Sequence, residues 1–203
     1  MGVEVIRSFA ETEVERNSIS GVVFKQLRSF PDDRGFFREI IRGTDPFFTK
    51  DHHRSSAEAP GFAQWSHSKM GRDTVKAWHY HHLQVDWWYV GIGVIHTVLI
   101  DMREESPTFR RKLEFKLGEQ EADSEALVAV VRIPQGVFHG CKVLTDSAHL
   151  FYITSEIYNP EDEGRVPFNS TEIDHSWGDE RTLITAENDR HSFPPKNRRA
   201  ILA

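Results

Sequence analysis

Two stretches of this chain contain side chains whose types and spacing suit metal binding or acid–base catalysis. The first holds His79 and His81, which would share a face on a strand because strand side chains repeat every two residues, and Asp86 follows shortly after. The second, Pro-Gln-Gly-Val-Phe-His over residues 134–139, adds His139. Imidazoles with a carboxylate can bind a divalent transition metal, and the same groups can move protons without one. The spacing alone leaves both possibilities open.

Strand-like runs at short spacing must position these side chains. They are 22–27, 36–41, 61–68, 75–81, 85–90, 94–102, 112–117, 127–133 and 150–156, many separated by Gly, Pro, Asp or Ser. In one of them Leu113, Phe115 and Leu117 alternate with charged residues, which is typical of a strand with one wet face. Many short strands with turn residues between them predict an all-β sandwich or barrel. A short helix is expected within residues 44–53.

Length and composition limit the class of protein. The chain has 203 residues and a formal net charge of −6. We expect a single domain over residues 1–203, with a barrel over roughly 20–160 and an irregular segment over 161–203. The negative charge argues against nucleic acid as a partner.

Cysteine use and hydropathy indicate the compartment. The single cysteine, Cys141, excludes an internal disulfide, fits a reducing compartment, and is expected to be a small buried side chain. The N-terminus lacks the apolar core of a signal peptide, and no apolar run is long enough to cross a bilayer. We therefore expect a cytoplasmic protein with no membrane partner.

The histidine stretches resemble the two motifs of the cupin superfamily. His79-x-His81, then Asp86 and Gly93, is similar to the first motif, with Asp in place of the more usual Glu. The run ending at His139 is similar to the start of the second. The resemblance implies a double-stranded β-helix, or jelly-roll barrel, with an N-terminal arm and a few short helices.

A more specific resemblance extends over nearly the whole chain. Its matching blocks are Asp-Arg-Gly-Phe-Phe-Arg-Glu at 33–39, Asp-Met-Arg-x-x-Ser-Pro-Thr-Phe at 101–109, Ile-Pro-x-Gly-x-x-His-Gly at 133–140 and Tyr-Asn-Pro at 158–160. In content and order they resemble the dTDP-4-dehydrorhamnose 3,5-epimerase family, a branch of the cupins.

Such enzymes invert carbons next to the ketone of a nucleotide-linked 4-keto-6-deoxy sugar, without a cofactor. The resemblance makes His79 the base and Asp189 the carboxylate that orients and charges it. Tyr152 becomes the proton donor for the opposite face, and His139 lines the same cavity. From the residues alone, Tyr152 could equally be a core tyrosine, and a surface acid is the favoured interpretation of Asp189.

The resemblance also implies how the substrate binds. Arg34 and Lys76 would contact phosphate, Glu39 and Gln64 the nucleotide base and sugar, and Tyr158 would stack on the pyrimidine. Arg34 could instead form an ion pair with a neighbouring acid. Dimers of the family exchange N-terminal strands and complete each other's sites, so a homodimer is expected.

The chain departs from the family at three positions near the histidines. Lys76 stands where a phosphate-gripping arginine is usual, His81 where a glutamine is common, and Asp86 where a lysine helps to stabilise the enolate oxygen. A carboxylate cannot stabilise an adjacent oxyanion unless it is protonated or bridged by a cation. The last two changes, His81 and Asp86, are those that would restore the metal-binding residues of the cupin motifs.

These departures lead to a metal hypothesis. A divalent metal on His79, His81, Asp86 and His139, or on a subset, would replace the missing lysine as a Lewis acid. A metal-bound His79 could not also be the base, so Asp189 or another group would have to take over.

The leading prediction is thus a cofactor-free epimerase of a nucleotide-diphospho-4-keto-6-deoxy sugar, acting at one or two carbons. One alternative is a metal-dependent cupin, such as a dioxygenase or isomerase, using a divalent transition metal. The other is a sugar-nucleotide-binding protein without catalytic activity.

Overall fold

Antiparallel β-strands make up nearly all the regular structure of residues 18–48 and 61–192, which are the residues that the computed structural model describes. The strands are β1 Val23–Gln26, β2 Ser29–Asp32, β3 Gly35–Arg38, β4 Gln64–Gly71, β5 Thr74–His81, β6 Asp86–Ile92, β7 Val94–Asp101, β8 Lys112–Gly118, β9 Ala129–Ile133, β10 Val137–Val143, β11 Ser147–Thr154, β12 Glu163–Arg165 and β13 Ile184–Thr185. Two short 3-10 helices cover Pro46–Phe48 and Glu187–Arg190.

The strands form two main sheets and a separate hairpin. One sheet has the order β1-β9-β6-β11-β4, and the other has the order β12-β5-β10-β7-β8 with β13 added beside β5. Strands β2 and β3 form the hairpin. The architecture is the predicted cupin-type jelly roll.

The main core lies between the two sheets. It joins Val90, Val131 and Leu150 of the first sheet to Ile95, Leu99, Leu113 and Val143 of the second. The predicted alternation on β8 is confirmed, because Leu113, Phe115 and Leu117 are buried while Glu114 is exposed. Each such aliphatic side chain stabilises the fold by about 1.5–3 kcal/mol when fully buried.

The C-terminal segment covers the outer face of the six-stranded sheet. A second buried cluster joins Trp78 of β5 to four side chains of this segment, Phe168, Ile173, Trp177 and Leu183. Although this segment was predicted to be irregular, it contributes β12 and β13, both paired with β5. Its anchoring holds the 3-10 helix Glu187–Arg190 in a fixed place beside that strand.

Strand β10 was not predicted, although it lies at the centre of its sheet between β5 and β7. Its sequence, Val-Phe-His-Gly-Cys-Lys-Val, contains a glycine that weakens a strand signal. Gly140 is required by its neighbours: a Cβ there would lie 2.6 Å from the Ala77 side chain and 2.9 Å from Trp177. The close approach of β5 to β10 therefore depends on the absence of a side chain.

The Asp-Met-Arg-x-x-Ser-Pro-Thr-Phe block is explained by one buried carboxylate. Asp101 accepts hydrogen bonds from Arg103 Nε at 2.8 Å, from the Ser106 hydroxyl and from the Thr108 hydroxyl. Arg103 also donates to the Ser20 carbonyl at 2.6 Å. Burial by itself raises the pKa of Asp101, but these donors outweigh it and lower the pKa to about 2. The block thus fixes the start of the described chain to the barrel.

Two other expectations concern helices. Of the helix expected within 44–53, the structure shows the 3-10 turn Pro46–Phe48, and residues 49–53 lie outside the described residues. None of the helices among residues 18–48 and 61–192 has the length and apolar character needed to cross a bilayer. The single-domain assignment stays a prediction.

Candidate active site

A pocket of about 270 Å³ opens between the two sheets. The six-stranded sheet contributes Lys76, His79, His81, His139, Glu163 and Arg165 to its lining, and the five-stranded sheet contributes Gln64, Asp86, Trp88 and Tyr152. Tyr158 lines it from the segment after β11. Most of the side chains singled out from the sequence therefore meet in one cavity.

His79 and Asp189 form a hydrogen-bonded pair. His79 Nε2 lies 2.8 Å from Asp189 Oδ1, and the Asp189 side chain is only 2% exposed. Because an ionised carboxylate only accepts hydrogen bonds, Nε2 carries the proton and Nδ1 of the neutral ring holds the lone pair. A carboxylate in this position fixes the ring and stabilises an imidazolium.

Arg165 and Glu163 complete this pair, and neither was found from the sequence. Arg165 donates from Nη1 to Asp189 Oδ1 at 2.7 Å and from Nη2 to Glu163 Oε1 at 2.7 Å. Strand β12 places Arg165 directly opposite His79 on β5. A Glu-x-Arg pair in a short edge strand matches no catalytic motif, so only this long-range pairing reveals it.

Tyr152 approaches from the opposite wall. It lies on β11, with Ser66 of β4 and Trp88 of β6 as its register partners. Since His79 belongs to the six-stranded sheet and Tyr152 to the five-stranded sheet, the two side chains line the pocket from different sheets. A molecule held between these walls would meet a potential base on one side and a potential acid on the other.

His81, Asp86 and His139 form a second group in the same pocket. Asp86 Oδ2 lies 3.8 Å from His81 Nε2 and 3.6 Å from His139 Nε2. Burial raises the pKa of Asp86, with the nearby His81 opposing that shift. Burial, then His81 and His79, hold the pKa of His139 well below its usual value, so His139 is neutral at pH 7.

The predicted metal set separates into two parts. Among the described residues, the ligand atoms of His81, Asp86 and His139 lie within 4.8 Å of one another, a group that does not include His79. His79 instead forms a hydrogen bond with Asp189. The geometry therefore assigns the two histidines of β5 to different neighbours.

Three of the predicted substrate-binding residues lie at this pocket. Gln64 accepts a hydrogen bond from the backbone N–H of Tyr158 at 3.0 Å and donates to the Ser66 hydroxyl at 2.9 Å. The Tyr158 side chain is largely exposed, which leaves a ring face available. Lys76 Nζ donates to the Ser68 hydroxyl at 2.7 Å.

Arg34 and Glu39 do not line the pocket of their own chain. Arg34 lies at the tip of the β2–β3 hairpin, where it pairs with Asp32 while remaining 89% exposed. Glu39 pairs with Arg42 at 2.7 Å and is also exposed. Such exposed pairs contribute little stability, so both side chains can exchange partners at small cost.

Comparison with known proteins identifies the relatives of this chain. The family model described as dTDP-4-dehydrorhamnose 3,5-epimerase matches residues 16–195. The spore coat polysaccharide biosynthesis protein SpsL of Bacillus subtilis (strain 168) is 36% identical over 165 residues, which is 80% of this chain and 98% of that protein. The dTDP-4-dehydrorhamnose 3,5-epimerase of Pseudomonas aeruginosa is 29% identical over 181 residues, covering 86% of this chain and 91% of that enzyme.

A solved structure agrees with the fold. The crystal structure of dTDP-4-dehydrorhamnose 3,5-epimerase from Elizabethkingia anophelis NUHP1 superposes with a TM-score of 0.70 at 25% identity. The match covers 89% of this chain and 94% of that one.

Proposed function

The chain belongs to the dTDP-4-dehydrorhamnose 3,5-epimerase family, and on this premise we propose that it epimerises a nucleotide-diphospho-4-keto-6-deoxy sugar. The observation that supports this most is the placement of His79 and Tyr152 in one pocket but on different sheets. Inversion of a carbon requires a proton to leave one face and another to arrive on the opposite face, and two walls that each bear one suitable group meet that requirement.

The proposed reaction begins at a C–H bond next to the ketone. His79 takes the proton, and the electron pair of that bond forms an enolate whose negative charge rests on the ketone oxygen. The Tyr152 hydroxyl then delivers a proton to the other face of the carbon, and the carbonyl re-forms. His79 afterwards loses its proton to water and the Tyr152 phenolate regains one from water, so the enzyme is restored.

Asp189 supports the base in this scheme. When His79 becomes an imidazolium, the carboxylate 2.8 Å away stabilises the new charge. Arg165 donates to the same carboxylate oxygen at 2.7 Å and so holds Asp189 in its orientation. We therefore assign His79 and Tyr152 as catalytic residues and Asp189 and Arg165 as positioning residues.

The nucleotide half of the substrate would bind at the mouth of the pocket. Tyr158 offers an exposed aromatic face for a pyrimidine, held in place by the hydrogen bond between its backbone and Gln64. Lys76 supplies a positive charge for a phosphate, as a point charge without the planar fork of an arginine.

A homodimer would complete this binding site. Arg34 and Glu39 are absent from the pocket of their own chain, yet the β2–β3 hairpin presents exposed aromatic side chains at Phe30, Phe36 and Phe37. We propose that this hairpin packs on a second copy of the chain and brings Arg34 to that copy's phosphate site. An Arg34→Ala variant should then raise KM for the nucleotide sugar while the mass in solution remains that of a dimer.

Proton transfer between carbon and solvent involves no net oxidation, so the proposed chemistry requires no redox cofactor. The two walls supply the base and the acid. The remaining requirement is a group that stabilises the enolate oxygen.

Proton exchange with solvent tests the proposed function. The wild-type enzyme, incubated in deuterated water with dTDP-4-keto-6-deoxyglucose, should incorporate deuterium next to the ketone, as followed by nuclear magnetic resonance. His79→Ala should abolish the exchange and still bind dTDP. Unchanged exchange in His79→Ala would refute the assignment of the base. Binding of the nucleotide sugar by wild-type protein without any exchange would indicate a non-catalytic binding protein.

A further inference from the structure

One possible ligand atom from each of His81, Asp86 and His139 lies within 4.8 Å of the other two. Asp86 Oδ2 is 3.8 Å from His81 Nε2 and 3.6 Å from His139 Nε2, beyond hydrogen-bond distance. Two ligands that are each about 2.1 Å from one ion lie roughly 3 to 3.5 Å apart. The separations seen here exceed that range by only a few tenths of an ångström.

Hydrogen bonds to neighbouring groups orient two of these three side chains, His139 and Asp86. His139 Nδ1 lies 3.1 Å from the Val137 carbonyl, which can only accept, so Nδ1 carries the proton and Nε2 presents its lone pair to Asp86. Asp86 Oδ1 accepts from Gln84 Nε2 at 2.6 Å, which leaves Oδ2 directed at the two rings. Histidine ligands of metals commonly donate their other ring N–H to a carbonyl, and ligating carboxylates are likewise held by a second hydrogen bond.

The group is also rigid and well shielded from water. Its members come from three strands in two sheets, His81 on β5, His139 on β10 and Asp86 on β6. The Asp86 and His139 side chains are 6% and 4% exposed, whereas His81 is 14% exposed on the pocket side. A site that is closed behind and open toward the cavity keeps coordination positions for a substrate oxygen.

We propose that His81, Asp86 and His139 bind one divalent first-row transition metal, such as Zn²⁺, Co²⁺ or Fe²⁺, beside the His79–Asp189 pair. Two imidazoles and one carboxylate suit these ions, and His79 stays free to act as a base. Bound there, the ion would supply the positive charge that stabilises the enolate oxygen. This role rests on the proposed epimerase function, whereas binding of the ion does not.

A second group of similar residues makes a useful contrast. The possible ligand atoms of His96, Glu114 and His175 also lie within 4.8 Å of one another. His96 is on β7, Glu114 is on β8, and His175 belongs to the C-terminal segment. There, however, His96 Nε2 contacts Glu114 Oε2 at 3.1 Å, and Lys112 Nζ lies 3.0 Å from Glu114 Oε1. The Glu114 carboxylate is thus already paired with His96 and Lys112, so this cluster serves as a control and not as a second candidate.

Metal binding is measured directly on tag-free, full-length protein stripped with EDTA. Titration with Co²⁺ should give one ion per chain, a visible spectrum typical of mixed nitrogen and oxygen ligands, and displacement by Zn²⁺. Asp86→Asn and His81→Gln should each weaken binding by at least about tenfold, and removal of the Gln84 hydrogen bond by Gln84→Leu should weaken it by about 10–100-fold. Glu114→Gln and His96→Gln should leave it unchanged.

Several results would overturn the site. They are the absence of Co²⁺ binding in the wild-type protein, binding that survives both Asp86→Asn and His81→Gln, and binding lost in Glu114→Gln. Circular dichroism of each variant checks folding, and His81→Gln provides the test if Asp86→Asn does not fold, since His81 is the least buried ligand.

Measuring proton exchange by the metal-stripped and the reloaded enzyme distinguishes metal binding from the catalytic role assigned to the metal. Exchange that falls on stripping and returns with Co²⁺ or Zn²⁺ supports the assigned role. Full exchange in stripped protein would refute that role while the proposed epimerase function stands. Stoichiometric binding with no exchange in either form would refute the epimerase function while the metal site stands.

Discussion

His139 on β10 stands directly opposite His79 on β5, with their ring centres 6.3 Å apart. The two rings nevertheless have different partners. His79 is bound to the buried carboxylate of Asp189, whereas His139 donates to the Val137 carbonyl. The hydrogen-bond partners therefore distinguish a side chain suited to take up a proton from one suited to remain neutral.

Asp189→Asn tests the contribution of the carboxylate charge to His79. The amide preserves the size of the side chain but cannot stabilise the imidazolium, so we expect kcat to fall by about 10²–10⁴-fold. The Kd for dTDP should change by less than about threefold because Asp189 does not contact the nucleotide in the proposed mode. Steady-state kinetics and calorimetric titration measure the two quantities.

Glu187→Gln is the matched control, since Glu187 lies on the same 3-10 helix. Its side chain is exposed and pairs with His191 at 3.0 Å. We expect kcat within about twofold of wild type. A kcat for Asp189→Asn that matches this control would contradict the proposed dyad.

Tyr152→Phe separates proton removal from inversion. Without the phenol, His79 can still take a proton and return one to the same face, so deuterium should enter next to the ketone while the configuration is retained. Nuclear magnetic resonance in deuterated water reports both events on one sample. Inversion at the wild-type rate would show that another group is the acid.

Tyr89→Phe is the control for loss of a hydroxyl from the same sheet. Tyr89 lies on β6, and its hydroxyl accepts from Arg38 at 3.1 Å away from the pocket lining. We expect this variant to lose some stability but to invert the substrate normally.

Asp101→Asn tests the ion pair of buried Asp101 with Arg103, which holds Ser20 near the start of the described chain. The pKa of Asp101 falls from 3.8 to about 2 on folding, so its charge stabilises the folded state above about pH 4. That contribution, about 2 kcal/mol, is lost as the pH falls from about 5 to 2. Asp101→Asn should lower the free energy of unfolding by about 2–3 kcal/mol at pH 7 and flatten its decline below pH 5.

Asp179→Asn is a closely matched control. Asp179 accepts hydrogen bonds from Arg181 two residues later, in the same arrangement that joins Asp101 to Arg103, but the Asp179 and Arg181 side chains are both exposed. Denaturant unfolding should show a change below about 0.5 kcal/mol. Equal effects of the two substitutions would contradict the role given to burial.

Gly140→Ala tests the close contact between β5 and β10. The added methyl group would meet Ala77 at 2.6 Å and Trp177 at 2.9 Å, and we expect a loss of about 1–3 kcal/mol in stability. Gly71→Ala, where nothing lies within 4 Å of the new Cβ, should change stability by less than about 1 kcal/mol. A Gly140→Ala variant as stable as the control would show that β10 has room for a side chain.

Sequence reasoning located most barrel strands because they alternate apolar and polar residues, as Leu113 to Leu117 do on β8. It missed β10 because Gly140 weakens the strand signal. That glycine is explained by a packing contact that only the fold reveals. The resemblance pointed to His79, Asp189 and Tyr152; in the structure His79 and Tyr152 line the pocket, and Asp189 is hydrogen-bonded to His79. It could not supply Arg165, whose role depends on pairing between β12 and β5.

The grouping of His81 with Asp86 and His139, apart from His79, could not be predicted from the sequence either. Spacing along β5 places His79 and His81 on the same face, and from the sequence they are equivalent. The difference comes from residues distant in the chain, with Asp189 beside one ring and Asp86 near the other.

Asp189 lies beyond all the strands of the barrel core, in a segment held by Phe168, Ile173 and Trp177 on the outer face of a sheet. Because the ribosome makes the chain from its N-terminus, His79 and the strands around it are synthesised well before Asp189. The enzyme proposed here would thus become active only when the segment that carries Asp189 has docked on the sheet. A ribosome that stalls, or a protease that cuts, before residue 189 would leave a barrel with a base but without its carboxylate partner.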